Sequence, residues 1–243
     1  MFGANQLPIH GVSTVTGFHD NELKWFRKYR GVNSEGVNTD QNLTYNLNSY
    51  YENNFLSLAG VRYLMYKPKD GEGEILPNPE YLPRAFIVPD YIVVPEEDAV
   101  VDTLRSVAFV PGENVILEKE PSLEFTGGPM EESEVVSYEY KGNEIELHCR
   151  MERNGFVVMT DNYFPYWHAY NETGKELEIY KADLTFRAVE LEKGDHKIVF
   201  RYVSKPYITG KYLTISGLLF LILLIIFVNF KKKGEFKLKE GTK

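Results

Sequence analysis

Residues 161–170 bring together side-chain types that suit contacts with sugars. Their sequence is Asp-Asn-Tyr-Phe-Pro-Tyr-Trp-His-Ala-Tyr, in which five of ten residues are aromatic. Aromatic faces offer apolar surface to a sugar ring, and carboxylates and imidazoles bind hydroxyl groups. We consider a carbohydrate or partner contact surface made of Asp161, Tyr163, Tyr166, Trp167 and His168. The alternative, which we favour, is a sandwich corner where the rings fill the core and Pro165 turns the chain.

The chain carries no sequence motif of a known catalytic centre. The patterns GxxxxGK[ST], GxSxG and HExxH do not occur, and the five histidines lack metal-ligand spacing. The single cysteine, Cys149, excludes an internal disulfide and falls at an inward position of a predicted strand. We therefore assign no catalytic or metal-ligating residue and predict no cofactor. A glycosidase-type carboxylate pair stays open, because it forms in space and not in sequence.

The composition indicates a folded domain that does not bind nucleic acid. The 27 Lys and Arg residues against 35 Asp and Glu residues give a net charge of −8, so the basic footprint of a nucleic-acid binder is missing. Apolar residues make up 43% of the chain, which is enough for a core. A length of 243 residues allows one or two domains.

Residues 134–204 show the alternation of half-buried β-strands. Apolar residues alternate with polar or charged ones at 145–149, 177–179, 184–188 and 198–202. In the third of these stretches Thr185 and Arg187 take the polar positions. Residues 156–159 are continuously apolar, and turn signals recur at short spacing. This pattern predicts an antiparallel, jelly-roll-like β-sandwich.

Two further regions precede the predicted sandwich. Residues 1–66 form a mixed α/β region, with a strand or loop at 11–17, helices over 21–29 and 50–58, and a strand over 61–66. A polar surface loop follows at 67–79. Residues 82–120 predict a strand–helix–strand unit with strands at 85–88 and 114–117 that could pair, and residues 119–133 form a linker. The fold class is therefore α+β.

A single apolar run, at 212–230, predicts a transmembrane helix. It contains nineteen residues without a charge, and about 20 apolar residues span a bilayer. Lys231, Lys232, Lys233, Lys237 and Lys239 follow it. Because basic residues next to a span stay in the cytoplasm, we expect 231–243 to be a cytoplasmic tail and most of the chain to be extracytoplasmic.

This orientation requires an export route. Residues 1–12 show no basic start followed by an apolar run, so we expect no signal peptide there. The chain is then either a tail-anchored protein with a cytosolic domain or the last piece of a longer membrane protein.

Several short motifs in a fixed order resemble the C-terminal part of the YfhO family of bacterial membrane proteins. The matching segments are 5–18, 58–64, 82–88, 155–161 with Tyr163, Pro165 and Trp167, 192–202, and a final span after Gly210. One departure is Tyr166, where the family usually has Gly. The resemblance implies a parent with many spans and a GT-C glycosyltransferase-like architecture, whose earlier spans deliver this region outside the cell.

The resemblance also implies a function. The chain is expected to be a non-catalytic extracytoplasmic domain that supports sugar transfer from a lipid-linked donor to a cell-envelope polymer. Its expected partners are the lipid bilayer, the remaining spans of the parent, and a lipid-linked sugar or envelope glycan. The competing hypothesis is a stand-alone membrane-anchored binding or assembly protein with no link to glycosyl transfer.

Overall fold

The computed structural model describes residues 11–15, 22–31, 54–66 and 72–240, with side chains up to residue 228. The chain divides into two compact units, Met1–Arg201 and Tyr202–Lys243. The helices are α1 (Lys24–Tyr29), α2 (Asn54–Leu58), α3 (Glu97–Leu104) and α4 (Lys205–Glu240). The strands are β1 (Tyr63–Tyr66), β2 (Glu74–Pro77), β3 (Ala85–Val88), β4 (Asp90–Val93), β5 (Asn114–Leu117), β6 (Glu134–Lys141), β7 (Glu144–Met151), β8 (Gly155–Met159), β9 (Trp167–Tyr170), β10 (Glu176–Leu177), β11 (Tyr180–Ala182), β12 (Phe186–Leu191) and β13 (Gly194–Tyr202).

Two sheets pack face to face in the first unit. The five-stranded sheet has the order β10-β9-β13-β7-β6, and the six-stranded sheet has the order β3-β8-β12-β11-β5-β4. The core between them contains Ile145, Leu147 and Phe200 from the first sheet and Val157 and Leu191 from the second. The predicted α+β fold with a mostly antiparallel β-sandwich is confirmed.

The five-stranded sheet has one buried face and one solvated face. Along β7, Ile145, Leu147 and Cys149 are buried, whereas the residues between them lie at or near the surface. Charged side chains of neighbouring strands pair across the outer face, as Arg201 does with Glu144. A strand with one solvent-exposed face carries polar and apolar side chains in alternation. The sequence pattern therefore predicts β7 correctly.

The six-stranded sheet is buried on both faces. Every residue of β8 is buried, and five of the six residues of β12 are buried. Phe156 and Val158 face a second core, to which α1, α2 and α3 contribute Tyr29, Leu58 and Leu104. The continuous apolar run of β8 follows from this middle position, because both faces of the strand need apolar side chains.

The region between 82 and 120 differs from its prediction in one pairing. The two predicted strands form, as β3 and β5, but the pairing that was considered possible does not, because β8, β12 and β11 lie between them. The partner of β5 is β4, which runs parallel to it after the crossover through α3. Pro89 interrupts the apolar run after β3. Proline cannot donate a ladder hydrogen bond, and it is the only residue between β3 and β4. Because β3 and β4 are the two edge strands of this sheet, the sheet must curl until its edges lie close together. Segments 82–120 and 134–204 thus share one sheet.

A short hairpin replaces part of the predicted loop at 67–79. The strand β2 pairs with β1, so that Leu76 lies opposite Leu64. Both leucines pack against Leu56 and Val61 in a small separate core. Burial of these few apolar side chains outweighs the local signal of the surrounding glycines and prolines. The predicted loop or strand at 11–17 has no regular structure over residues 11–15, and the rest of it lies outside the described residues.

The second unit contains α4, which is long and apolar enough to cross a membrane. Its segment Lys205–Val228 has 24 residues, and the most apolar 18-residue window within it has a mean hydropathy of 2.4 and no buried residue. The helix begins seven residues before the predicted span, at Lys205. The hydroxyl of Ser204 accepts a hydrogen bond from the N–H of Tyr207 at 3.3 Å and caps the first turn. The predicted tail from residue 231 continues the helix to Glu240.

Candidate functional site

The structure distributes the five sequence-predicted contact residues over several environments. Asp161 and Trp167 come together, because both contact the guanidinium of Arg187. Tyr163 lies against Trp25, with ring centroids 6.0 Å apart. The other two predicted residues have different neighbours again, as described below.

Asp161 is the centre of a polar cluster at one end of the sandwich. We call the residues Arg84, Tyr140, Asp161, Trp167 and Arg187 the Asp161 cluster. Arg84 directly precedes β3, Tyr140 lies near the end of β6, and Asp161 follows β8. Trp167 begins β9, and Arg187 is the second residue of β12. Five chain segments therefore contribute to the cluster, and three of them bring donors to the Asp161 carboxylate.

Both oxygens of the Asp161 carboxylate accept hydrogen bonds. Oδ1 accepts from Nη2 of Arg84 at 2.7 Å. Oδ2 accepts from Nη2 of Arg187 at 3.0 Å and from the hydroxyl of Tyr140 at 2.8 Å. Nε of Arg84 also donates to the Tyr140 hydroxyl at 3.0 Å. Charge-assisted bonds of this kind are roughly twice as strong as neutral ones, so the carboxylate is firmly held.

Arg187 is fully buried under this carboxylate, with 0% of its surface exposed. Its Cζ lies 4.1 Å from the centroid of the Trp167 ring and 5.3 Å from that of Phe200. Its Nε and Nη1 have no hydrogen-bond partner within the described part of the chain. Burial lowers the pKa of the guanidinium, and the negative charge of Asp161 opposes this shift. The alternation that placed Arg187 on a polar face was misleading, because β12 has no solvated face.

The cluster carries more positive than negative charge. It contains two guanidinium groups and one carboxylate. Burial raises the pKa of the Tyr140 phenol to about 12, so the phenol is neutral at physiological pH. The arrangement leaves an excess of one positive charge, which Arg84 presents to solvent because its side chain is 45% exposed.

Tyr163 belongs to a second cluster, whose other members are Trp25, Lys181 and Glu97. Nζ of Lys181 lies 4.3 Å from the centroid of the Trp25 ring, and Nε1 of Trp25 donates to Glu97 at 2.9 Å. Burial alone would raise the pKa of Glu97, but hydrogen bonds from Trp25 and Lys28 outweigh it and lower this pKa to about 2. The contacts of Tyr163 therefore tie the loop after β8 to α1 and α3.

His168 and Tyr166 lie apart from the Asp161 carboxylate. His168 follows Trp167 in β9 and points to the opposite side of the strand, where its Nδ1 lies 2.6 Å from Oε1 of Glu176. Its ring also stacks with Tyr170 at 6.4 Å between centroids. Tyr166 packs edge to face with Phe164 at 5.5 Å. The contacts of the five predicted residues thus fall into several groups, and the sugar or partner surface stays a prediction.

A strained turn joins β11 to β12. Asp183 and Leu184 have φ angles of 48° and 74°, in the left-handed region that favours glycine. The Asp183 carboxyl is 1% exposed and accepts a hydrogen bond from the N–H of Ile116 at 2.8 Å. Burial raises its pKa to about 7, although the bond from Ile116 opposes the shift. This carboxyl fastens the turn to β5 from inside the protein, where no substrate reaches it.

The described residues contain no group of three or more His, Cys, Asp and Glu side chains placed to hold a metal ion. Cys149 is fully buried between the sheets, and burial raises the pKa of its thiol to about 12. A thiol that stays protonated in the core is unreactive.

Several residues of these clusters escaped the sequence analysis. Arg84, Tyr140 and Arg187 lie 77, 21 and 26 residues from Asp161 in the chain. The sequence held one signal for Arg187: it is a charged residue with apolar residues on both sides. Comparison of the chain with protein-family models, with curated proteins and with solved structures finds no match.

Proposed function

We propose that this chain is a non-catalytic, membrane-anchored sugar-binding domain, acting as the outer domain of a YfhO-like membrane protein. In this proposal it supports the transfer of a sugar from a lipid carrier to a cell-envelope polymer. Its C-terminal tail faces the cytoplasm, and the sandwich lies outside the cell. The remaining spans of the parent protein would supply the catalytic groups.

The observation that carries this proposal is the connection between the Asp161 cluster and the membrane helix. Phe200, which packs against Arg187, is five residues before Lys205, the first residue of α4. The cluster is thus joined by a short stretch of chain to a helix that, in this proposal, lies in the membrane, where a lipid-linked sugar resides.

The bonding of Asp161 supports a binding role over a catalytic one. Both of its oxygens are engaged by arginine and tyrosine donors, so the carboxylate is committed to holding the cluster together. A general base or nucleophile needs an oxygen directed at the substrate. The carboxyl of Asp183 is not available for catalysis either, because it is buried in the turn between β11 and β12. Sugar transfer by the purified chain would contradict the non-catalytic assignment.

Trp167 provides a direct readout of sugar binding. The chain contains two tryptophans, and a Trp25→Phe variant leaves Trp167 as the only one. We expect oligosaccharides from the cell envelope to change the Trp167 emission of the full chain in lipid nanodiscs. A chain that binds none of them, by fluorescence or by calorimetry, would overturn the sugar-binding function.

The orientation has its own test. Asn143 is exposed in the turn between β6 and β7, and an Asn143→Cys variant places a thiol there. Intact cells should react with a membrane-impermeant thiol reagent at this position. The wild-type chain is the control, because its thiol is buried with a raised pKa. Labelling that appears only after lysis would place the sandwich in the cytosol.

A second candidate function, a stand-alone membrane-anchored assembly protein, has one observation in its favour. One face of the β1–β2 hairpin exposes Tyr63, Met65 and Ile75 by 54%, 59% and 65%. Exposed apolar groups of this kind mark contacts with other proteins or membranes. Photo-crosslinking from position 65 to another protein in cells, together with no binding of sugars, would favour this function over the first.

A further inference from the structure

The excess charge of the Asp161 cluster indicates what kind of sugar it binds. Arg187 has no access to water, and its Nε and Nη1 have no partner among the described residues. Charges interact more strongly in a buried environment than in water. Asp161 is shared with Arg84, so it balances only one of the two guanidinium groups.

Arg84 brings this charge to the surface. Its Nε and Nη2 donate to Tyr140 and Asp161, and its Nη1 donates to no other residue that the structure describes. The side chain is 45% exposed. An anionic group from solvent therefore has a guanidinium edge to bind, with a second positive charge behind it.

Arg84 lies beside a pair of aromatic rings, with its Cζ 5.7 Å from the centroid of the Tyr140 ring. Tyr138 and Tyr140 lie opposite Leu147 and Ile145 in the register of β6 and β7, so they share the inner face of the sheet. Because β6 is an edge strand, this face is incompletely covered and the two tyrosines are 43% and 45% exposed. Their rings meet at 90° with centroids 6.1 Å apart.

We propose that Arg84, Tyr138 and Tyr140 form a subsite for an acidic sugar. The carboxylate or phosphate of the sugar binds the guanidinium of Arg84, and its ring packs on the exposed tyrosine faces. The buried charge of Arg187 strengthens the attraction without touching the ligand. This inference rests on the proposed sugar-binding function and adds the charge of the ligand to it.

The test compares three disaccharides of the same linkage on the full chain in nanodiscs of neutral lipid. One contains glucuronate, one carries a phosphate group, and one is neutral. Isothermal titration should show at least one acidic disaccharide binding about tenfold more tightly than the neutral one. Preference for the glucuronate identifies a carboxylate ligand, and preference for the phosphorylated sugar identifies a phosphate ligand. The preference should shrink between about 0.05 M and about 0.5 M salt, because salt screens exposed charges.

Arg84→Gln should abolish the preference for the acidic disaccharides over the neutral one. The matched control is Arg150→Gln, which removes an exposed arginine from the outer face of the five-stranded sheet, where it pairs with Glu134 and Asp195. Tyr138→Ala should weaken the binding of all three sugars. If Arg84→Gln fails to fold, two other measurements test the acidic subsite. These are the salt series on the wild-type chain and the sugar affinities of the Tyr138→Ala variant.

Two results would overturn the inference, and they differ in what else they imply. Equal binding of the three disaccharides, at either salt concentration, would refute the acidic subsite and leave the sugar-binding function intact. Binding of none of them would refute both.

Discussion

The two sheets of the sandwich differ in how much of their surface contacts water. The five-stranded sheet keeps one face in solvent, and there charged residues pair with one another at the surface. The six-stranded sheet lies between the first sheet and the helices, so its charged residue Arg187 has to be accommodated inside. An alternation of apolar and polar residues therefore has two outcomes. In the five-stranded sheet the charged position lies in solvent, whereas in the six-stranded sheet the charge of Arg187 is buried.

The difference also separates weak interactions from strong ones. Exposed ion pairs contribute about 0–1 kcal/mol, because water and salt compete with them. Removing one partner of a buried pair costs roughly 3–5 kcal/mol, because the other charge stays behind without compensation. Substitutions in the two sheets should therefore differ in free energy of unfolding by several kcal/mol, and four measurements test this contrast.

The largest effect is expected at Asp161. An Asp161→Ala variant leaves Arg187 buried without its carboxylate partner and should lose about 4 kcal/mol of stability. Thermal and chemical unfolding of the full chain in nanodiscs, followed by tryptophan fluorescence, measures the loss. The double variant with Arg187→Met removes both charges and should recover much of it. A single variant as stable as the wild type would show that the cluster does not hold the sandwich together.

The next largest effect is a pH dependence of the stability that comes from Asp183. Its pKa in the folded protein is raised to about 7, above the ordinary value of 3.8 that applies to the unfolded chain. The folded state therefore binds the proton more tightly, and this contribution to stability is present below pH 4 and is lost as pH rises toward 7. Each tenfold difference in proton affinity between the folded and unfolded states corresponds to about 1.4 kcal/mol.

An Asp183→Asn variant should remove this pH dependence. Asparagine keeps an oxygen for the N–H of Ile116 and tolerates the left-handed backbone at this position. We expect the variant to unfold at a higher temperature than the wild type at pH 8, and the difference to shrink at pH 5. A pH profile that is parallel for both proteins would contradict the buried charge.

A smaller contrast is expected for a matched pair of valines. Val158 in β8 is fully buried, whereas Val199 in β13 points to the outer face and is partly exposed. Val158→Ala should cost about 2 kcal/mol, and Val199→Ala less than about 1 kcal/mol. Equal losses in denaturant unfolding would indicate that the outer face of the five-stranded sheet is covered by something in the protein's working state.

The smallest effect is expected for the exposed pair of Arg201 and Glu144, whose closest atoms lie 2.5 Å apart. Arg201→Gln should change the free energy of unfolding by less than about 1 kcal/mol, and added salt should remove even this difference. A double-variant cycle with Glu144→Gln measures the pair directly. A coupling as large as that of the Asp161 cluster would erase the contrast between the two sheets.

These two sheets also explain how far the sequence predicts the fold. Period-two alternation and turn signals predict β7 and β13, because one face of each strand is wet. The short strands β2 and β4 were missed, since four residues carry too little periodicity next to Pro89 and the glycines of 71–73. The pairing of β4 with β5 depends on the whole sheet and leaves no local trace.

The candidate site was predicted only in part, for a related reason. The aromatic stretch at 161–170 pointed to Asp161 and Trp167, which do meet in space. Their partners Arg84 and Tyr140 come from remote segments, and an arginine before a strand has no signature of its own. The function expected from the YfhO resemblance stays a prediction that the sugar-binding and labelling experiments test.

The place of β13 within its sheet has a mechanical consequence. This strand leads to α4 through Val203 and Ser204, and it is the middle strand of its sheet, bonded to β9 on one side and β7 on the other. A pull on the C-terminal end of β13, directed along the strand, therefore loads two rows of hydrogen bonds in shear, whereas an edge strand would be peeled off one bond at a time. The middle position of β13 makes the sheet resistant to tension that is applied through this end of the strand.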